Sequence, residues 1–550
     1  MKSKYKIIAL GGLQENGKNT LILETEKTMI LIDAGISNFT NKTLGIDYII
    51  ADYSYLEKNK KKFKAILISH GHFDQMGALY QILEKYDVPV YGSNYTIAFL
   101  KKNLDKKFFK NLKEITYSKV LIIDDVKVEP FTLSHAIFGN YGYLLAMQDE
   151  AIIYASDYNF DQIPSKFACT DIEKILTLKN KYKIKLFLTE TVSIDNLGMS
   201  SGQQDYFPTL KREIESAPAR VIFTLYSSNL HGMATIINLA EKYNKKIMIV
   251  GRDLLTYVNI SRDLGYMKIP KDVFVKVNNI NKVKDEDLFI VVAGLYDYPF
   301  MELNRVSLNN HNILKFKMTD KVIVASKPYD EIEDLAQEIL DKVARNVGSI
   351  SHAATNISAH AYQEDIKMMI NLFEPEYIMP IKGEYRKFIT LTKVAKLLGY
   401  TEEQVIIANN GEVIEQLNGS FVTTETLKLN NLLVNKDHDT NVNPIILKDR
   451  EILSDNGYVT IILMFAKGTD KLVQKPVILS GGLIQFDDDE DILNGCLNIV
   501  EKEILSMDNN RQLVNKLKIK LSRYLNKKIG KTPMILPMRV EIDQQKLKEK

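Results

Sequence analysis

Ten residues, Ile68-Ser69-His70-Gly71-His72-Phe73-Asp74-Gln75-Met76-Gly77, put two imidazoles and a carboxylate directly after the apolar run Ala65–Ile68. That run reads as a strand. Two histidines two residues apart at a strand end can both turn toward one ion, and Asp74 follows from the next turn. A further histidine, His135, stands in Leu133-Ser134-His135, and Asp157 stands in Tyr154-Ala155-Ser156-Asp157, again after a strand-like run. Asp33, in LIDAG, ends an earlier one. A single histidine is more often a surface or core residue than a ligand. This chain has only eight, however, two of them in one three-residue stretch and a third at the next ligand position. Three neutral imidazoles with one carboxylate suit a borderline-soft ion such as zinc, not magnesium or calcium.

The elements that must position these groups are short. Tyr5–Leu10, Thr20–Glu24, Met29–Ile32, Ala65–Ile68, Val120–Ile123 and Ala151–Tyr154 read as strands, and Met76–Lys85 as a helix. Their alternation predicts a layered α/β domain. From about Tyr206 the pattern changes to strand–helix–strand: VIFTLY, a helix over Met233–Tyr243, KIMIVG, LFIVVAG, TDKVIVAS and an amphipathic stretch over Glu331–Val347. This is a second α/β unit with parallel strands. Short strands return near His360, so the second unit reads as an insertion into the first. The expected division is 1–205 and 348–431 for the first domain, 206–347 for the inserted one, 432–449 for a polar linker and 450–550 for a C-terminal strand–helix–strand domain.

Composition sets the outer bounds. With 550 residues, 45% hydrophobic and 26% charged, the chain is long enough for several domains and ordinary for a globular protein. A balance of 72 Lys+Arg against 69 Asp+Glu excludes a wholesale polycation. Two distant cysteines, Cys169 and Cys496, make neither a disulfide framework nor a thiolate cage, so the reducing cytoplasm is the expected compartment. No apolar run approaches the ~20 residues a membrane helix needs, and no membrane partner is expected. Residues 511–550 carry twelve Lys/Arg against three Asp/Glu, read as a solvated helix face and tail, since a single aromatic residue, Tyr524, lies among them for base stacking.

The His-x-His-x-Asp run with a lone histidine and a lone aspartate at strand ends resembles the metallo-β-lactamase superfamily. ALGGLQENGKN, LGIDYIIADYSYLEKNK, SNLHG, VGRD, ISAHA, PIKGEYR, ILKDREILSDNG and PMILPMRVEI narrow the resemblance to the ribonuclease J family, in the branch with an inserted β-CASP domain. The matches run in order from about Tyr5 to Ile542. The resemblance implies a metallo-β-lactamase αββα sandwich, an inserted parallel-sheet α/β domain and a small C-terminal α/β domain. It also implies RNA as substrate, two zinc ions, 5′-3′ exonuclease or endonuclease activity, and assembly with itself, a paralogue or other RNA-decay proteins.

Carried over by position, the first zinc site is complete: His70, His72, His135 and the bridging Asp157. The second zinc in the family uses Asp74, a histidine next to it, the bridging aspartate and a histidine in the P-x-H-G-E-Y-R segment. Here those two histidines are Gln75 and Lys382. A glutamine offers zinc only a neutral amide oxygen, and a lysine ammonium has three donors and no lone pair. Lys382 beside Asp74 and Asp157 would compete with a metal for the same carboxylates; the alternative has Lys382 turned outward and the site empty. One zinc per chain is therefore expected, without the second, and with it weak or lost activity.

With one ion, Asp74 is the candidate base for the attacking water, while the same resemblance makes His360 in SAHA the general acid and Glu190 in FLTET an orienting carboxylate. It assigns RNA contacts to Ser228, Asn229, His231, Arg252 and Ser358. Ser228 and Asn229 read equally well as a helix N-cap. Two loops depart from the family pattern, AGLYDYPFMELNR at 293–305 and ASKPYDEIED at 325–334, where bulk replaces small residues. The expected protein is a weak or inactive subunit supporting an active paralogue, with a competent zinc-dependent ribonuclease as the alternative.

Overall fold

Strands whose every residue is buried dominate the first part of the chain, because two sheets stack face to face and bury both sides of most strands. The computed structural model describes residues 4–38, 45–161, 169–200, 203–295, 297–328, 332–352, 359–435, 444–469, 471–483, 490–505 and 510–542. One sheet has eight strands in the order Ser420–Thr426, Glu412–Leu417, Lys6–Gly11, Thr20–Glu24, Met29–Ile32, Phe63–Leu67, Val90–Gly92 and Leu112–Glu114. The other has six, in the order Tyr377–Lys382, Lys183–Glu190, Glu150–Ala155, Tyr141–Met147, Val126–Thr132 and Leu121–Ile123. Ile7, Leu21, Ile30 and Leu67 of the first sheet share one apolar core with Val128, Tyr143, Ile152 and Leu188 of the second. On its other face the six-stranded sheet carries the helices Ile172–Lys181, Gln363–Phe373 and Tyr385–Leu397, through Ile175, Leu178, Ile366, Met369 and Leu391. The two stacked sheets and their helices make the αββα sandwich.

Three parallel strands of the six-stranded sheet stand side by side, Glu150–Ala155, Lys183–Glu190 and Tyr377–Lys382. The chain leaves this sheet after Glu190 and returns to the neighbouring strand at Tyr377. Between them it builds a separate five-stranded sheet, ordered Lys246–Val250, Leu288–Gly294, Val221–Tyr226, Lys321–Val324 and Ser349–His352, in which every pairing is parallel. Helices Leu230–Lys242, Arg252–Asp263, Tyr298–Ser307 and Glu333–Ala344 connect its strands. The second α/β unit is thus an insertion with parallel strands, as its sequence pattern predicts.

The chain divides into two compact units, Met1–Asn38 with Ile49–Leu432, and Phe39–Tyr48 with Leu433–Lys550. In the second, Tyr458–Ala466 pairs antiparallel with Val477–Gly481 and parallel with Met534–Ile542. Val459, Ile461, Leu463 and Phe465 alternate onto one face and pack on Cys496 and Val500 of helix Glu490–Leu505, and on Leu517 and Leu521 of helix Asn510–Ile529.

The helix expected over Met76–Lys85 is two short ones, Phe73–Met76 and Leu79–Leu83. The break comes at Gly77, where a Cβ would stand 2.9 Å from Ile36 and 2.7 Å from the Phe73 carbonyl. The Ala78 amide there donates to the Ala34 carbonyl at 2.8 Å, tying the turn to the loop that holds Asp33.

Candidate metal centre

Each ligand leaves a strand end. His70 and His72 follow Phe63–Leu67, His135 follows Val126–Thr132, and Asp157 follows Glu150–Ala155. Their donor atoms converge. His70 Nε2 lies 3.0 Å from His72 Nδ1, which lies 3.2 Å from His135 Nε2. Asp157 Oδ2 is 3.4 Å from His70 Nε2 and 3.8 Å from His135 Nε2. Four ligands about 2.0–2.1 Å from a tetrahedral zinc stand about 3.3–3.4 Å apart, so the spacing fits that ion.

Hydrogen bonds behind the ligands fix which nitrogen faces inward. The Asp33 carboxylate accepts from the Ser69 amide at 2.7 Å, the Ser69 hydroxyl at 2.8 Å and the Tyr154 hydroxyl at 2.6 Å. With its proton given to Asp33, the Ser69 hydroxyl accepts from His70 Nδ1 at 3.0 Å, which leaves the lone pair on Nε2. His135 Nδ1 donates to the Ala359 carbonyl at 2.7 Å, with the same result at its Nε2. Such outer partners are how metal sites set ring tautomers. Burial holds His72 down at about 3 and His135 well below the usual imidazole range, with the neighbouring histidines adding to the effect. Both are therefore neutral at pH 7, as metal ligands must be. Asp33 is itself not a ligand; burial raises its carboxyl to about 6 against the hydrogen bonds that favour its charge.

Lys382 ends the strand beside Glu190, its register partner. It is 2% exposed, and does not turn outward. Its Nζ donates to Asp74 Oδ2 at 2.8 Å and to Asp157 Oδ1 and Oδ2 at 2.7 and 2.8 Å. Burial alone would lower its pKa, but Asp157, Asp74 and Glu190 outweigh that and raise it, so the ammonium stays charged. The same cation holds Asp74 and Asp157 below the usual carboxylate range in spite of their burial. Gln75 is fully buried and turns its amide NH2, not its oxygen, to Asp157 Oδ2 at 3.2 Å. Its oxygen accepts from Asn19 at 2.5 Å, and Asn19 also donates to Asp74 Oδ2 at 3.2 Å. Every carboxylate oxygen on this side that is near Lys382 therefore already faces an N–H donor. Asp74 lies with Lys382, outside the group of three histidines and Asp157.

On the other side, His360 Nδ1 is 2.8 Å from Glu190 Oε2 and 3.7 Å from Asp157 Oδ1. Burial lowers the imidazole pKa, but the two carboxylates prevail and raise it. Burial raises Glu190 in turn. Glu190 Oε1 accepts from the amides of Tyr158 at 2.9 Å and Ala361 at 3.3 Å, the residues following Asp157 and His360. One carboxylate thus fixes both neighbouring backbones.

The remaining sequence-derived positions divide. Asn229 Oδ1 accepts from the Gly232 amide at 2.8 Å and caps helix Leu230–Lys242, while Ser228 is half-buried beside it. His231 is only 4% exposed, its ring 4.6 Å from that of Phe138, and burial lowers it to about 4. Ser358 and the Arg252 side chain lie outside the described residues, as do Tyr296 and 329–331 of the two divergent loops. Tyr298 lies against Gly294, where a Cβ would stand 2.2 Å from its ring. Sequence reasoning placed Asp33 near the site without a role, and missed Ser69, Tyr154, Asn19 and Ala359. Ser69 and Asn19 adjoin or belong to motifs that are visible in sequence; Ala359 acts through its backbone and leaves no sequence signal.

A metallo-β-lactamase sandwich with a candidate metal centre at its strand ends and a parallel-sheet insertion defines the class, and known families agree. Residues 14–141 match the metallo-beta-lactamase superfamily, 218–343 the ribonuclease J beta-CASP domain, 353–407 the Zn-dependent metallo-hydrolase RNA specificity domain, and 445–542 the ribonuclease J C-terminal domain. The chain belongs to the ribonuclease J family. It is 28% identical over 548 residues to ribonuclease J2 of Bacillus subtilis (strain 168), covering 98% of both chains. It is 27% identical over 550 residues to ribonuclease J 2 of Staphylococcus aureus (strain MRSA252), again covering 98% of each. A crystal structure of a protein of unknown function from Enterococcus faecalis V583 shares the fold, with a TM-score of 0.53 and 16% identity, over 75% of this chain and all of that one. No helix among the described residues is long and apolar enough to cross a membrane.

Proposed function

We propose that this protein is a cytoplasmic, RNA-binding ribonuclease J-type subunit with one zinc ion per chain. In this reading Lys382 takes the place of a second ion, hydrolytic activity is weak or lost, and the chain supports an active paralogue or a second copy of itself. The observation that carries it is the position of Lys382 Nζ, within 2.8 Å of three oxygens on Asp74 and Asp157. A single +1 charge there offsets part of the charge of the two carboxylates and admits no ligand bond. All three of its N–H groups are already used, so it has none left to clamp a phosphate.

When bound, zinc at His70, His72, His135 and Asp157 supplies a Lewis acid and an acidified water. Around it, His360, whose imidazole Glu190 and Asp157 shift upward against its burial, stands where it can deliver a proton to a leaving oxygen. Asp74, committed to Lys382, is a poor base. In-line phosphodiester displacement gains most from two ions about 3.5–4 Å apart that stabilise both the attacking and the leaving oxygen. Every ~1.4 kcal/mol of lost stabilisation slows the step tenfold. The intact His360–Glu190 pair supports the second reading, a slow single-ion ribonuclease.

Ser228, Arg252 and Ser358 are the proposed RNA contacts of the inserted domain and its return segment, with Asn229 taken up by its helix cap, within the division 1–205, 206–347, 348–431, 432–449 and 450–550. The test is zinc content per purified chain together with cleavage of a 5′-monophosphorylated RNA. One zinc with negligible cleavage is expected; two zincs with ready cleavage would overturn the reading.

A further inference from the structure

The loops carrying two of the ligands are backed by aromatic rings from the inserted domain. Phe73 follows His72 directly; its ring lies 6.1 Å from Phe99, which lies 4.5 Å from Tyr257 on helix Arg252–Asp263 of the insertion. Phe138 stands three residues after His135. Its ring stacks on Tyr266, just beyond the same helix, at 5.3 Å and 27°, and meets His231 edge-on at 4.6 Å. Tyr266 also reaches Tyr95 at 5.8 Å and donates its hydroxyl to Asn94 Oδ1 at 2.6 Å. Between His135 and Phe138, the Ala136 carbonyl accepts from the amides of Leu230 at 3.1 Å and His231 at 3.4 Å, at the start of an inserted-domain helix. The segment by which the chain returns from the insertion supplies the Ala359 carbonyl that fixes the His135 tautomer.

We propose that Tyr257 and Tyr266 are positioning residues for the metal centre: Tyr257, by backing Phe73 through Phe99, and Tyr266, by backing Phe138, hold the His72 and His135 loops in ligand geometry, so zinc affinity depends on how the inserted domain is seated. This rests on the reading that the three histidines and Asp157 bind zinc. The physical reason is that a ligand loop free to shift loses donor convergence. His72 and His135 both belong to loops; the inserted domain supplies the ring behind Phe138 and, one ring further back through Phe99, the ring that supports Phe73. Linkage then works in both directions. A nucleic acid that seats the inserted domain tightens zinc, and zinc favours that seating by the same factor.

The experiment is zinc affinity of the full chain, by competition with a chromogenic chelator, for wild type, Tyr266→Leu, Tyr257→Leu and Phe300→Leu. Phe300 is 1% exposed in the core of the inserted domain with Leu303 and Val306, away from both ligand loops, and serves as the stability control. Melting temperatures are recorded for all four, together with the change in affinity on adding a single-stranded RNA oligonucleotide. Outer-shell changes weaken metal binding about 10–100-fold. The expected result is a loss at the low end of that range, about tenfold, for each tyrosine variant, with Phe300→Leu at wild-type affinity despite an equal or larger drop in melting temperature. RNA should tighten zinc in wild type and do so less in Tyr266→Leu. Unchanged zinc affinity in both tyrosine variants, or losses that merely track melting temperature across all three, would overturn the proposal. A wild-type chain that takes up no zinc would instead remove the metal-site reading beneath it.

Discussion

Replacing Lys382 by methionine keeps the length of the side chain and removes its charge. Asp74 Oδ2 and Asp157 Oδ2 each lie 2.8 Å from Nζ, so at most about 5.6 Å separates them. At an effective dielectric of ~20, two unit charges at that distance repel by about 3 kcal/mol, or roughly two pKa units. Breaking a buried pair costs about 3–5 kcal/mol overall, and that is the expected loss for zinc-free Lys382→Met at pH 8. The sign of its pH dependence is diagnostic. In wild type both carboxyls are depressed by Lys382, so their stabilisation is complete above the unfolded value near 4 and is lost only below it. In the variant that repulsion raises one carboxyl instead, and its protonation restores stability as the pH falls. About 1.4 kcal/mol of the deficit should return between pH 8 and pH 5. Urea unfolding followed by far-ultraviolet circular dichroism measures both terms, and the chain has no tryptophan to report by fluorescence. Titrations of groups that do not feel Lys382 cancel in the difference between the two proteins; those of His72, Glu190 and His360, which it also influences, contribute to it. A deficit under about 1 kcal/mol, equal at both pH values, would refute the view that this ammonium is the counter-charge of the site.

Three further outcomes follow from the same geometry. Asp33→Asn turns an acceptor facing the Ser69 and Tyr154 hydroxyls into a donor, reversing the chain that orients His70; zinc affinity should drop about 10–100-fold, read by chelator competition. Asn229→Ala should cost about 1 kcal/mol through the lost cap on Gly232 and leave RNA affinity within about twofold; a tenfold loss of RNA binding would make Asn229 a substrate contact instead. His72, His135 and His231 are all depressed by burial, so their stabilisation is complete above the unfolded value near 6.5 and is lost as the pH falls toward their folded values. Each adds a slope of about 1.4 kcal/mol per pH unit. His231→Leu should therefore flatten the pH dependence of zinc-free stability below pH 6.5, measured by urea midpoints, and an unchanged slope would contradict its buried neutral state.

The candidate ligands were legible in sequence because strand-end histidines two apart carry their chemistry in their spacing, and the fold brings them together at strand ends. The departure at Lys382 was legible for the same reason: the residue type excludes ligation wherever the side chain lies. What spacing does not encode is direction. Whether Lys382 faced Asp74 or solvent, and whether Gln75 offered its oxygen or its NH2, depended on Asn19, which is 56 residues from Gln75 in sequence. His231 looked like a surface contact because SNLHG stands at a strand end, yet Phe138 from the other domain covers it. Strands Val126–Thr132 and Tyr141–Met147 did not stand out. Tyr141–Met147 is buried at every position and so has no period-two pattern, and Val126–Thr132 carries Pro130 and Glu129 within it.

Restoring a second ion is a cooperative problem, and that sharpens the test of the two substituted positions. Lys382→His alone would leave a neutral imidazole beside two carboxylates, one of which still accepts the Gln75 NH2 at 3.2 Å. Gln75→His alone would add a ligand while the ammonium continues to hold three oxygens. Neither change by itself produces both a vacant cationic position and lone pairs directed into it. In a double-mutant cycle on zinc stoichiometry, each single variant should stay near one zinc per chain and Gln75→His/Lys382→His should approach two. The coupling should exceed the few tenths of a kcal/mol seen for independent sites, since both residues act on the Asp157 carboxylate. If Lys382→His alone brought the second zinc to full occupancy, Gln75 would be a bystander and the donor saturation of this carboxylate would not be what keeps the ion out.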